Sequence, residues 1–485
     1  MNVLLINPYC TVFASAGHFK DFLVPMPPIA LAYLAAYLEK ENISVGIHDD
    51  FLHQGDNEKI IKLITENYPA VIGIPTFSAS LMYRVFEIVA IIRKYSPNTL
   101  VVLGNIHANI FDQDLLLKQQ ADVIVYGEGE ITFAELVQAQ LHSNGCRGHQ
   151  YWKDIRGISY LDNGQFIKNP ARPFIENLDV LPFPAWHLLP IFEYDTFNFA
   201  KIQMPALLIS GSRGCNFKCS FCSLIVSGNH RRVRSAKSIV DEMEFFHKRY
   251  GIRQFSFVDP MFPGSLEEAV QFSSEIIARD LHKKVIWITE IRVDLVSRQL
   301  IIPLKNAGLR LLMLGIETIN DKSNQQLKKN ITNINTFKAI QICKKEGVAT
   351  TGFFILGIPG ESKSDIFRTI KSACMGKLNY AKFNIFCPYP GTFAYKKLLQ
   401  DKQLKIELID NWNCYTSFPN RKYPPVYKYN NTDIDENKLF KYQYIGTILF
   451  YLRPDRMLTL ILKFDRHDWL ILFRHFKNNF VSLFK

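Results

Sequence analysis

Residues 212–223 read Ser-Arg-Gly-Cys-Asn-Phe-Lys-Cys-Ser-Phe-Cys-Ser, spacing Cys215, Cys219 and Cys222 as Cys-x3-Cys-x2-Cys. Three thiols this close suit a metal centre, and their number narrows which one. A structural zinc site is closed and tetrahedral, with four N or S ligands. The nearest further donor, His230, lies eight residues past the last cysteine, in the basic run Asn229-His230-Arg231-Arg232. A disulfide framework fits worse: nine cysteines in 485 residues is a sparse, odd count with no secretory signal ahead of it, so a reducing, cytoplasmic compartment is expected. Thiolates also hold iron–sulfur clusters, normally four per 4Fe–4S cluster. Three would leave one iron open to a substrate or cofactor.

The flanks place this loop. Ala206 to Ser210 is a short apolar run ending at Gly211, which suits a buried strand, and Ser235 to Tyr250 has helical periodicity with Ser235 as N-cap. Strand–helix units follow: QFSFVD (254–259), VIWITE (285–290), LRLLMLGIE (309–317), TTGFFILGIP (350–359) and AKFNIFCP (381–388), with helical segments between them. The alternation predicts a parallel sheet with right-handed crossovers, and about six units predict a partial barrel with chemistry at the strands' C-terminal ends. Asp259, Glu290, Arg292, Glu317 and the Gly357-x-Pro359-Gly360-Glu361 turn sit at those ends. They would be costly in a packed core unless paired.

Cys-x3-Cys-x2-Cys with an aromatic, Phe221, before its last cysteine resembles the signature of the radical S-adenosylmethionine (SAM) superfamily. The resemblance implies that Cys215, Cys219 and Cys222 hold a 4Fe–4S cluster whose open iron chelates SAM, and that one-electron cleavage of SAM yields a 5′-deoxyadenosyl radical. It also assigns Phe221, Asp259, Glu290, Arg292, Glu317 and Gly357 to SAM, although a salt bridge at the barrel rim would use the same charged side chains.

The first 145 residues carry a second pattern. VLLINP (3–8), SVGIHD (44–49), AVIGIP (70–75), LVVLG (100–104) and DVIVYGEGE (122–130) alternate with five helical segments. This predicts a doubly wound sheet that binds ligands at its strands' C-terminal ends. No G-x-G-x-x-G follows the first strand, which argues against a dinucleotide. Pro-Pro-Ile-Ala-Leu-Ala-Tyr-Leu-Ala-Ala (27–36), Gly104-Asn105-Ile106-His107-Ala108 and the Gly127-Glu128-Gly129-Glu130 segment before Thr132 resemble the cobalamin-binding domain fused to many radical SAM enzymes. The resemblance assigns Asn7, Ser78, Gly104, Asn105, His107, Gly127, Glu128, Gly129, Glu130 and Thr132 to cobalamin. Two departures stand out. Asn105-Ile106 replaces the usual Gly-Pro, and the Asp-x-His-x-x-Gly motif that supplies a cobalt-ligating histidine is absent, since Asp50-Phe51-Leu52-His53-Gln54-Gly55 has the wrong spacing. No histidine is expected on cobalt.

The chain is therefore expected to be α/β: a Rossmann-like, cobalamin-binding domain (1–145), a connector with a β-hairpin (146–200), a partial (β/α)6 radical SAM barrel (201–400) and a C-terminal helical cap (401–485). Residues 441–485 hold eight Lys or Arg, three Asp and ten aromatics, with no apolar run of the ~18 residues that span a bilayer. A packed cap is the reading favoured, and an interfacial helix touching a membrane surface is the alternative. Trp469, Phe473, Phe476 and Phe480 share a helical face in either case. A net charge of +12 suits an acidic partner. It does not point to nucleic acid, because the resemblance lacks the extra N-terminal cysteines of tRNA-modifying relatives.

The function expected is that of an oxygen-sensitive enzyme methylating an unreactive carbon or phosphorus centre in a small-molecule, natural-product or lipid pathway intermediate. A reductant such as flavodoxin or ferredoxin would feed it electrons. Radical oxidative cyclisation or rearrangement is the alternative within enzymes, and a cobalamin-responsive sensor or carrier the alternative outside them. No residue is assigned to the transfer step itself.

Overall fold

The computed structural model describes residues 1–10, 26–143, 145–194, 205–223, 226–429, 434, 438–463 and 469. Two sheets organise them. The first has seven strands in the order β2-β1-β3-β4-β5-β6-β7: β1 (Val3–Asn7), β2 (Val45–Asp49), β3 (Val71–Pro75), β4 (Leu100–Gly104), β5 (Val123–Val125), β6 (Ile158–Asp162) and β7 (Gln165–Lys168). The five strands from β1 to β5 are parallel. Both faces of β1 are buried, as expected where helices cover a sheet on two sides. Val3 and Leu5 pack with the Ile29–Lys40 and Gly129–His142 helices, while Leu4 and Ile6 pack with Asn57–Asn67 and Met82–Tyr95.

The hairpin expected in the connector belongs to this first sheet. β6 pairs antiparallel with β5, and β7 with β6. The Asn163-Gly164 turn has positive φ at both residues (47° and 80°), which matches the twist of a tight two-residue hairpin. Alternation along 158–168 revealed the hairpin but not its neighbour. Ile158 and Tyr160 are fully buried because they cover the edge that β5 would otherwise expose.

The second sheet runs β15-β14-β13-β12-β11-β8, entirely parallel: β8 (Ala206–Ile209), β11 (Gln254–Phe257), β12 (Ile286–Arg292), β13 (Leu309–Glu317), β14 (Ala349–Leu356) and β15 (Tyr380–Ile385). Its strands follow chain order, and β8 and β15 do not pair, so the barrel is open. Between β8 and β11 lies a two-stranded ribbon, β9 (Ser212–Arg213) and β10 (Arg232–Val233), whose long loop carries the three cysteines.

The described tail packs on the open edge. Ile385 N–H donates to Ser417 O at 3.0 Å, and in the Leu439–Tyr451 helix the buried Gln443 donates Nε2 to Phe383 O (2.6 Å) and Ser417 O (3.2 Å). Leu439 and Phe450 are fully buried. Among the described residues no helix is long and apolar enough to cross a membrane. Phe473, Phe476 and Phe480 lie outside the described residues, and Trp469 is half-buried. Truncation at Asp435 should strip these contacts and lower the melting temperature by several degrees, since ~1 kcal/mol moves a domain of this size by about 2–4 °C. A tail that met only lipid would leave melting unchanged and instead give salt-sensitive pelleting with anionic vesicles.

Candidate functional site

The cysteine loop is irregular, so its backbone relies on neighbours. Gly214 precedes Cys215 at φ +79°, and a Cβ there would lie 2.1 Å from His230 O, so only glycine fits the start of the loop. Ser220 N–H donates to Leu327 O (2.9 Å), Ser220 Oγ to Gln326 O (3.1 Å), and Ala394 N–H to Ser220 O (2.8 Å). Phe221 packs on Leu327, Ile358, Phe386 and Leu398. Cys215 and Cys219 are half-buried, and Cys222 keeps accessible surface.

Burial first, and then the neighbouring Cys219 and Cys215, push the Cys222 thiol up to about 11. Arg292 and Lys329 work against this at Cys219, and Arg292 Nη1 stands 3.7 Å from Cys219 Sγ. Among the described residues no three His, Cys, Asp or Glu side chains converge on a single ion.

The strand-end residues divide by what they touch. Arg292 Nη2 donates to Lys329 O at 2.9 Å, the guanidinium pairs with Asp294, and its face lies 3.7 Å from the Phe217 ring centre. Glu317 sits at a register shift in β13 with φ +64°, a backbone uncommon for a non-glycine residue, and it pairs with Lys329. Gly357 and Ile358 N–H groups both donate to Glu361 Oε2 at 3.1 Å, fixing the turn after β14. Asp259 serves the backbone instead. Its carboxylate accepts from Gly211 N–H (2.9 Å) and from the Ser212 hydroxyl, so it holds the strand leading into the cysteine loop. Burial raises its pKa to about 6. The Glu290 carboxyl projects into the lumen and has no hydrogen-bond partner among the described residues; burial, followed by the charge of Glu317, raises it to about 7.

A cleft of about 450 Å³ runs between the two sheets. On one side it is lined by Gly73, Gly104, Asn105, Gly127, Glu128, Gly129 and Glu130, and on the other by Ser212, Arg213, Gly214, Val258 and Asp259. Leu5, Leu31, Val102 and Phe133 continue it as an apolar slot beneath the strand ends. A Cβ on Gly73 would fill this slot, 2.9 Å from Leu5 and 3.0 Å from Phe133. A deep apolar slot that opens into a wide polar-rimmed mouth fits a large ligand with a protruding arm, so cobalamin suits the residues present.

Of the ten residues expected at cobalamin, six line this cleft. The other four turn their polar atoms elsewhere. Asn7 donates to Asp49 (2.7 Å), Ser78 meets Ser80 (2.9 Å), and Thr132 lies between Arg156 O and Arg172. His107 is buried against Phe111 and Trp412, its pKa lowered by burial to about 3. Sequence motifs could not separate these roles at Asn7 and Thr132, because their polar partners lie 24 to 42 residues along the chain. Asn105 adopts the glycine-like backbone (φ 76°, ψ −170°) of the residue it replaces, and its Oδ1 accepts from Ile106 N–H at 2.7 Å.

Glu128 and Glu130 do more than line the cleft. Glu128 accepts from Arg213 Nη1 (3.1 Å) and Arg232 Nη1 (2.9 Å), and Glu130 pairs with Arg213. The two arginines are paired on the β9–β10 ribbon. The acidic motif of one domain thus clamps the base of the cysteine loop in the other. Arg213, Arg232 and Lys329 were missed from sequence; the first two stand beside Gly214 and inside the basic run Asn229-His230-Arg231-Arg232, where nothing local marks a partner in the first domain.

The chain matches the radical SAM superfamily over residues 209–373 and the B12 binding domain over 20–137. It is 31% identical over 449 residues, covering 92% of each chain, to an uncharacterized methyltransferase of Pyrococcus horikoshii. It is 28% identical, over 84% of this chain and 71% of the relative, to the anaerobic magnesium-protoporphyrin IX monomethyl ester cyclase of Rubrivivax gelatinosus. The fold resembles that of the radical SAM methyltransferase TsrM from Kitasatospora setae, solved with cobalamin and a [4Fe-4S] cluster, with a TM-score of 0.68 and 18% identity over 96% of this chain and 92% of that one.

Proposed function

The chain belongs to the radical SAM enzymes that carry a cobalamin-binding domain, and from that premise we propose that it transfers a methyl group to an unreactive carbon or phosphorus centre of a small-molecule, natural-product or lipid intermediate. It is an enzyme, and its cofactors are a 4Fe–4S cluster, SAM and cobalamin. One observation carries the reading. The base of the cysteine loop (Arg213, Gly214 and Ser227) and the strand ends of the first sheet line the same cleft, which supports a reading in which groups held by the two domains work on one substrate.

When bound, the cluster and SAM supply one-electron chemistry and cobalamin supplies a methyl carrier. The side chains do the rest. Cys215, Cys219 and Cys222 give up their protons to hold the cluster, and Arg292 sets its positive charge beside Cys219. Arg292, Glu317 and the Gly357 turn are assigned to SAM, with Phe221 packing the loop behind it and Asp259 fixing the loop's approach; Glu290, which the resemblance placed at SAM, faces the lumen and is assigned instead to the substrate. Gly104, Asn105 and Gly127 to Glu130 are assigned to cobalamin. An electron donor such as flavodoxin or ferredoxin would reduce the cluster.

Anaerobically reconstituted enzyme, given methyl-labelled SAM and neighbouring pathway intermediates, should place label in a product. A new ring without label would favour oxidative cyclisation instead, the reading supported by the 28% identity to the cyclase. Paramagnetic resonance of the cobalt(II) form should show no axial nitrogen splitting. Splitting that vanishes in His107→Ala or His53→Ala would mean that a histidine coordinates cobalt.

A further inference from the structure

The pleat of the second sheet points one set of side chains into the barrel. Register places Glu290, Met313, Thr351 and Tyr380 in one row, and Arg292, Gly315, Phe353 and Lys382 in the next row toward the strands' C-terminal ends. The opposite face, including Ile291, Leu312, Leu314, Phe354 and Phe383, is buried under helices. Lys382 keeps exposed surface, yet burial lowers its pKa. Its place in this inward row, with surface left exposed, makes it a side chain lining a water-accessible chamber inside the open barrel. Arg292, in the same row, reaches Cys219, so this chamber lies directly beneath the cysteine loop.

Several buried charges are ion-paired: Arg84 with Asp50, Arg234 with Glu242, Lys329 with Glu317. Glu290 and Lys382 are not. Each feels the other's charge, but among the described residues neither has an ion-pair partner within 4.0 Å; Lys382 Nζ lies over the Phe418 ring, 5.6 Å from its centre, a contact that leaves its N–H donors free for an anion. Asn384, one pleat step beyond Lys382, buries an Oδ1 with no hydrogen-bond partner. A carboxyl group and an amide oxygen left open in this way, as at Glu290 and Asn384, are expensive unless a ligand completes them.

We propose that these groups form a substrate subsite in the lumen: Lys382 anchors an anionic oxo group, carboxylate or phosphate, while Glu290 and Asn384 accept hydrogen bonds from a hydroxyl or amine of the same molecule. This names the substrate's chemical class and rests on the reading of the barrel as a radical SAM site.

The test uses the full-length, cluster-reconstituted protein and three probes, glycerate, glycerol 3-phosphate and glycerol, followed by calorimetric titration. At least one anionic probe should bind and glycerol should not, and the better anion identifies carboxylate or phosphate. Lys382→Met should weaken that binding at least ~tenfold, as expected for a charge-assisted hydrogen bond, and Lys382→Arg should restore part of it. Asn384→Asp, nearly isosteric, should weaken it comparably by repulsion, and it decides the matter if Lys382→Met does not fold. Glycerol binding as well as the anions, no binding of either anion, or wild-type affinity in Lys382→Met or, where that variant does not fold, in Asn384→Asp would overturn the subsite. Full cluster iron without anion binding rejects the subsite alone. Absence of both iron and SAM cleavage rejects the reading beneath it.

Discussion

Cys219→Ala is expected to leave the anaerobically reconstituted protein without its iron–sulfur absorption and without detectable SAM cleavage, where the unaltered chain should hold about four irons. Three thiolates are the fewest that leave one iron free, so losing one removes a ligand that nothing nearby replaces. Cys219 is also the thiol Arg292 approaches, at 3.7 Å. The remaining cysteines give the control. Cys343 is buried in the main barrel core, and Cys387 packs with Cys414 and Tyr415, so alanine there should cost stability but not iron. Iron retained in Cys219→Ala and lost in Cys343→Ala or Cys387→Ala would mean that other thiols hold the cluster.

What could be read from sequence was what lies close together in the chain. The cysteine spacing, the strand–helix alternation of both sheets and the glycines of the Gly127-to-Gly129 turn are local patterns, and each points to its place. The Asn163-Gly164 turn announced a hairpin, but pairing of β6 with β5 is a long-range contact that no local pattern encodes. The same limit hid the purpose of Glu128 and Glu130. Their partners Arg213 and Arg232 stand 83 to 104 residues away, so an acidic motif beside a ligand cleft read only as ligand-binding. Asp259 was legible as a strand-end acid, whereas its partners Gly211 and Ser212, 48 and 47 residues earlier, were not. Lys382 was within reach: Tyr380, Lys382 and Asn384 alternate with Ala381, Phe383 and Ile385, and where helices cover one face of a barrel strand its polar face points to the lumen.

The clamp between the two domains should rank next in effect. Glu128 and Arg232 retain only 6% and 3% of their side-chain surface, and Glu130 and Arg213 7% and 16%. Removing one member of a buried ion pair leaves the other desolvated and uncompensated, at a cost of about 3–5 kcal/mol. Glu128→Ala strands Arg232 outright, while Arg213 keeps Glu130, so the Arg232 pair should dominate the loss. Arg232 also donates to Ile175 O at 2.8 Å and Ser227 O at 3.0 Å, so part of its charge stays solvated by carbonyls and the lower end of that range is expected. The melting temperature should then fall by roughly 6–12 °C, at about 2–4 °C per kcal/mol. A double-mutant cycle separates pairing from general damage. Glu128→Ala and Arg232→Ala together should cost well below the sum of the two, with a coupling of about 1–3 kcal/mol. Additivity within ~0.5 kcal/mol would show that the two domains are not joined through this pair. Because Arg232 lies opposite Arg213 on the β9–β10 ribbon, the same variant should loosen the base of the cysteine loop. It should therefore release cluster iron to a chelator faster than the unaltered chain, even at temperatures where it remains folded.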